Sequence, residues 1–199
     1  QNFDSYKSLN TMTGYGYYYY NGKYFLSGSF RRDASSRFHP DSRWGTFGSV
    51  GGAWLMSEED FIKSIDIIHM LKLKASYGVQ GNDDLLDSNG DPTYKPYEDY
   101  YQVSYSGDPS NPFSVKFERK GNKDITWETS HAFNVGADFE LFKGRISGGV
   151  EYFYRETSDM LFNQPVPKVL GYSTFPTNVG TMENKGIEFN IEGTIMKTP

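Results

Sequence analysis

Residues Trp127 to Leu141 read WETSHAFNVGADFEL, and the stretch sorts into two faces. Trp127, Thr129, His131, Phe133, Val135, Ala137, Phe139 and Leu141 fall on one; Glu128, Ser130, Ala132, Asn134, Gly136, Asp138 and Glu140 fall on the other. A period of two belongs to a strand, and the run far exceeds the usual five or six or so residues of a soluble one. A Lys143-Gly144 turn follows. The return segment repeats the pattern, with Ile146, Gly148, Val150, Tyr152 and Tyr154 opposed to Arg145, Ser147, Gly149, Glu151 and Arg155. The two segments read as a long hairpin.

The same alternation extends outward along the chain. It recurs in Tyr24 to Arg31, Phe47 to Met56, Leu71 to Val79 and Ile187 to Ile195, and an aromatic stretch at Tyr15 to Tyr20 ends in an Asn21-Gly22 turn, making about seven long strands. Their connections alternate in length. The Asn21-Gly22 turn, a compact segment at Ser57 to His69 and the Lys143-Gly144 turn lie on one side; Asp33 to Arg43, Gln80 to Asp124 and Ser158 to Asn184 lie on the other. Short turns on one side and long loops on the other are the pattern of an outer-membrane barrel. In the compact segment Ser57 reads as a helix N-cap ahead of Glu58, Glu59 and Asp60, with Phe61, Ile65 and Ile68 sharing a face, which predicts a short periplasmic helix. The first long excursion predicts a hairpin from Tyr100 to Tyr105 and Phe113 to Glu118.

Composition agrees. Of 199 residues 17 % are aromatic, with 21 Gly and 9 Pro, which favours an all-β chain rich in turns. The net charge of -5 argues against nucleic acid as a partner, and the lack of Cys removes disulfides, thiolate metal sites and a cysteine nucleophile. His39, His69 and His131 are too scattered for a zinc site. No apolar run approaches the roughly 20 residues of a membrane helix, but barrel strands of about 9–11 residues escape that test. The chain opens on Gln1 with no leader pattern, and we expect a fragment.

Four strings carry a family resemblance: FLSGSFRRDASSRFHPDSRWGTFGSVGGAWLMSEEDF (Phe25 to Phe61), LKLKASYGVQGND (Leu71 to Asp83), ITWETSHAFNVGADFELFKGRISGGVEYFYRETSDMLF (Ile125 to Phe162) and VGTMENKGIEFNI (Val179 to Ile191). In this order they resemble barrel segments of SusC/RagA-type TonB-dependent transporters of Bacteroidetes outer membranes. Ala34 stands where the family more often has Gly. The resemblance implies antiparallel strands forming part of a transmembrane barrel of about 22 strands, with the plug and the remaining strands absent from residues 1 to 199. It implies an outer-membrane importer of oligosaccharides or peptides, with a SusD-like surface lipoprotein as partner, TonB engaged through the absent plug, and lipid around the wall. The rival readings are a small complete barrel of about eight strands, acting as adhesin or structural protein, and a soluble carbohydrate-binding β-sandwich.

Candidate chemistry is sparse. Asp87, Asn89, Asp91 and Glu98 imitate the spacing of a calcium loop, but Pro92 occupies the position that requires a sharp glycine turn, so no metal is expected. Glu128, Asp138, Glu140 and Glu151 could converge as acid and base, but lumen charges paired with Arg145 and Arg155 explain them more simply. We expect no catalytic residue, no enzyme and no cofactor. Tyr15, Tyr17, Tyr19, Trp44, Trp54 and Trp127, at strand ends, are expected in the interfacial girdles. Tyr94, Tyr97, Tyr100, Tyr101, Tyr172 and Phe175 lie in the long loops, where packing of the loops on each other is the favoured reading. Of these, Tyr97, Tyr100, Tyr101 and Tyr172 are the candidate ligand or partner surface.

Overall fold

The computed structural model describes residues 9–86, 90–108 and 110–194. Seven long strands form one antiparallel sheet: β1 (Leu9–Tyr20), β2 (Tyr24–Ser35), β3 (Trp44–Leu55), β4 (Ile68–Asn82), β7 (Glu128–Leu141), β8 (Ile146–Ser158) and β11 (Thr181–Gly193). They are ordered β1-β2-β3-β4-β7-β8-β11, each hydrogen-bonded to its neighbours. β5 (Tyr100–Asp108) and β6 (Asn111–Arg119) form the expected hairpin in the first long excursion. A second small ladder, β9 (Leu161–Pro165) with β10 (Thr174–Asn178), lies in the other excursion and was not expected. Its five-residue strands carry Pro165 and Pro176 and show no alternation to read.

The seven strands have 12 to 15 residues, longer than a bilayer crossing needs, so their ends project beyond it. The strand expected at Ile187 begins six residues earlier, at Thr181, and its expected end, Ile195, lies outside the described residues. β1 and β11 are the two edges and are not paired with each other. The sheet is therefore an open arc of wall, which excludes a small closed barrel. A single sheet with both faces uncovered is not a sandwich either.

Turn chemistry fixes the short side. Asn21 and Gly22 both have positive φ (53° and 67°), as a type I′ hairpin requires, and Gly144 takes φ 79° in the β7–β8 turn. The compact segment differs from its prediction. A 3-10 turn spans Met56–Glu58 and α1 is a single turn, Asp60–Lys63, with Glu59 and not Ser57 at the N-cap position and no side-chain cap. Phe61 is exposed and Ile62 is the buried residue, while Ile68 already belongs to β4. The Glu59 carboxylate is engaged elsewhere, with Lys23, Tyr24 and Trp54.

The buried core lies at the other end, among the long connections. Phe38, Phe47, Leu85, Ile125 and Trp127 form one cluster, with Val79, Tyr97 and Leu161 against it. Apart from Phe47 and Ala34, at the loop ends of β3 and β2, the described strands of the wall bury no apolar side chain, because their two faces meet something other than protein interior.

Candidate functional site

Register divides the sheet into two chemical faces. Cross-strand rows such as Trp54–Leu73–Ala137–Val150–Phe189 and Leu26–Gly52–Ala75–Val135–Tyr152–Ile187 place apolar side chains together. Phe133, Val135, Phe139, Ile146, Val150, Ile187, Phe189 and Ile191 share this face, and Asn134, Asp138, Glu151, Glu188 and Glu192 share the other; Arg145, just before β8, continues the polar face. Trp44 and Trp54 stand on the apolar face at opposite ends of β3. Ten residues at about 3.3 Å rise and about 40° tilt separate them by about 25 Å, the height of a barrel's apolar band.

Two girdle expectations fail. Tyr15, Tyr17 and Tyr19 pair with Ser29, Ser27 and Phe25 on the polar face, while Tyr18 and Tyr20 take the apolar one. The run YGYYYY carries rings at both parities, so alternation could not assign it. Trp127 is buried, its ring against Phe38 and Phe47 at 5.3 Å each and its Nε1 donating to the Arg43 carbonyl at 3.0 Å. Phe38 of the β2–β3 loop and Phe47 of β3, both distant in sequence, bury it and so remove it from the girdle.

On the polar face the charges meet at Lys74. Its Nζ lies 3.0 Å from Asp138 and 3.1 Å from Glu151. Among the described residues Arg145 and Arg155 form no ion pair, because register puts Lys74 on β4 next to Asp138 and Glu151, where those arginines had been expected. Glu128 is ten residues from Asp138 along β7 and accepts from Asn82 Nδ2 and the Leu161 amide instead. The four carboxylates thus do not converge. Beside Lys74 a concavity of about 460 Å³ opens, with Tyr17, Tyr19 and Phe25 on one flank, Lys74, Asn134 and Glu151 on the other, and Gly51, Ala53 and Gly136 at its floor.

Polar contacts knit the loop layer. Ser35 Oγ donates to Asp83 at 2.6 Å, Arg37 donates to the Asp83 carbonyl at 2.9 Å and pairs with Asp84, and its guanidinium lies over the Tyr94 ring at 5.6 Å. Asn178 ties the two long excursions, accepting from the Thr126 amide and donating to the Thr126 carbonyl, both at 2.9 Å. The Gly121 amide and then Lys120 hold the Asp99 carboxyl below its ordinary range. Burial pushes the Arg119 guanidinium down as it donates to the Tyr94 and Lys95 carbonyls at the base of the β5–β6 hairpin.

The four candidate surface tyrosines separate into two kinds. Tyr101 and Tyr172 come together on Phe117, with ring centroids at 5.0 and 5.6 Å. Tyr100 lies under Arg119 at 5.7 Å, and Tyr97 packs on the buried cluster and edge-on to His39. Of the calcium-loop pattern, Asp87 and Asn89 lie outside the described residues.

The family model described as TonB dependent receptor-like, beta-barrel matches residues 4–196. The chain belongs to this family. It is 38% identical over 184 residues to TonB-dependent receptor P39 of Formosa agariphila, covering 92% of this chain and 17% of that protein. To TonB-dependent receptor SusC of Bacteroides thetaiotaomicron it is 33% identical over 192 residues, covering 94% and 19%. A chain of the RagAB peptide importer in its "closed-closed" state superposes with a TM-score of 0.84 at 29% identity, covering 96% of this chain and 20% of that one. The chain spans less than a fifth of the curated relatives it matches. TonB-dependent receptors of this SusC/RagA kind are outer-membrane β-barrel proteins; the apolar face is the lipid-facing side of such a wall, and the polar face lines its interior.

Sequence reasoning missed Lys74, Glu59 and Phe117. LKLKASYG did signal inward cations at Lys72 and Lys74 by alternation. Glu59 and Phe117 carried no local signal, since their partners lie far along the chain.

Proposed function

We propose that residues 1–199 form a partial barrel domain of an importer that carries oligosaccharides or peptides across the outer membrane, with a SusD-like surface lipoprotein as partner and TonB as energy source. The observation that carries this reading is the two-faced wall: an apolar band about 25 Å high backed by an interior face of hydroxyls, amides, tyrosines and the Lys74 ion-pair cluster. The likeness to SusC, and to a structure described as a peptide importer, supports import with a partner. This section of wall acts by binding and guiding rather than by chemistry, because Asp138 and Glu151 are both committed to Lys74. Tyr101 and Tyr172, joined through Phe117, and Tyr100 belong to the outward ligand or partner surface, and Tyr97 supports it from below.

The test is uptake of labelled oligosaccharides and of labelled peptides by cells with and without the full-length receptor, in TonB-competent and TonB-deficient backgrounds, with co-purification of surface lipoproteins. TonB-dependent uptake of one class, and a co-purifying lipoprotein, are expected. Uptake of both classes unchanged by loss of the receptor overturns the reading.

A further inference from the structure

The β3–β4 connection lies on the lipid side of the rim. Glu59 receives hydrogen bonds from Tyr24 OH at 2.7 Å and Trp54 Nε1 at 3.2 Å, and both of these side chains stand on the lipid-facing side of the sheet. Lys23 Nζ closes the arrangement at 2.9 Å. The pin draws the 3-10 turn and α1 outward, beneath the stacked rings of Tyr24 and Trp54, which are 6.1 Å apart. The segment held there leaves Phe61 60% and Ile65 41% exposed, while Ile62 is buried; Ile67, whose carbonyl accepts from the Phe142 amide, precedes Ile68 on the lipid-facing side and so falls on the opposite parity.

We propose that Phe61 and Ile65 form an interfacial anchor that enters the headgroup–acyl boundary of the periplasmic leaflet. Continuity names the occupant: the patch extends the lipid-facing band at its short-turn end, next to an aromatic belt of Tyr20, Tyr24 and Trp54. Charge names the lipid chemistry. Glu58 pairs with Lys63 at 2.9 Å and Glu59 with Lys23, so the segment presents no basic cluster for an anionic headgroup. A zwitterionic phospholipid fits. This anchor rests on the lipid-facing assignment of the wall and not on the importer reading.

The experiment places one environment-sensitive label on the full-length receptor in zwitterionic phospholipid vesicles, at Phe61→Cys, at Lys143→Cys in the other short turn, or at Val135→Cys within the band. The Phe61 label should be blue-shifted and should lose most of its emission to lipids carrying a nitroxide just below the headgroup, but little to aqueous iodide. The Lys143 label should do the reverse, and the Val135 label should respond most to a nitroxide deep in the chains. Iodide quenching at Phe61 equal to that at Lys143 overturns the anchor, as does shielding from both quenchers, which would mean a protein contact. Failure of both nitroxides at Val135 overturns the lipid-facing assignment together with the anchor. If Phe61→Cys does not show the heat-modifiable mobility of an assembled barrel, Ile65→Cys carries the same label and the same expectation.

Discussion

Arginine placed on the two faces of one hairpin should separate lipid from lumen by free energy. Val150 lies four residues above Ile146, the start of β8, and Phe139 two residues below Leu141 in sequence, hence two residues above the same turn on β7. At about 3.3 Å per residue and about 40° of tilt, Val150 stands about 10 Å into a band of about 25 Å, and Phe139 about 5 Å. Val150→Arg near the midplane should therefore cost about 2–4 kcal/mol, and Phe139→Arg about half of that, because the penalty falls to about 0–1 kcal/mol at the interface. Asn134→Arg, on the interior face beside Glu151, should cost less than about 1 kcal/mol. The assay is reversible denaturant unfolding of the full-length receptor in lipid vesicles, read by tryptophan fluorescence, with one variant per titration. Equal costs for Val150→Arg and Asn134→Arg would refute the assignment of faces, and a larger cost at Phe139 than at Val150 would refute the depth scale.

Further outcomes follow from the same geometry. Lys23, then Tyr24 and Trp54, hold the Glu59 carboxyl down to about 2, so its contribution to stability is complete above about pH 4.5 and is lost as pH falls through about 2; Glu59→Gln should flatten the acid limb of stability measured over that window. Trp127→Ala removes a ring buried among Phe38 and Phe47 and should cost about 3–5 kcal/mol, and limited proteolysis should show cleavage rising in the long loops while the wall stays resistant. Replacing the β5–β6 hairpin, Tyr100 to Arg119, by a short glycine-serine link in the full-length receptor should impair uptake or lipoprotein co-purification with the barrel still assembled; normal values for both would remove the loop from the binding surface.

Much of the wall was legible because its environment has a two-residue period. In WETSHAFNVGADFEL and its return strand, lipid and water on opposite sides imposed the alternation directly, and register then carried the same faces through β3, β4 and β11. Legibility ended where contacts were not local. Tyr17 and Tyr19 could be assigned inward only through their pairing with Ser27 and Phe25. Trp127 continues the alternation in sequence, but it lies just before β7 and is buried by Phe38 and Phe47, which lie about 80 to 90 residues away. Ser57 has the sequence of a helix cap, yet the segment is organised by Glu59 reaching Lys23 and Tyr24 across two strands. The candidate surface was legible only as a composition of loop tyrosines; which of them gather depends on Phe117, a residue of the β5–β6 hairpin that meets the other excursion at Tyr172.

The central claim is that these seven strands are an arc of a larger barrel whose β1 and β11 pair with strands outside this chain. Amide hydrogen exchange measures that pairing. In the full-length receptor in bilayers, amides of Leu9–Tyr20 and Thr181–Gly193 should be as protected as those of β4 and β7, and in the isolated 199-residue chain both edges should exchange rapidly and the protein should self-associate. A monomeric isolated chain with heat-modifiable mobility and both edge strands protected would contradict the account.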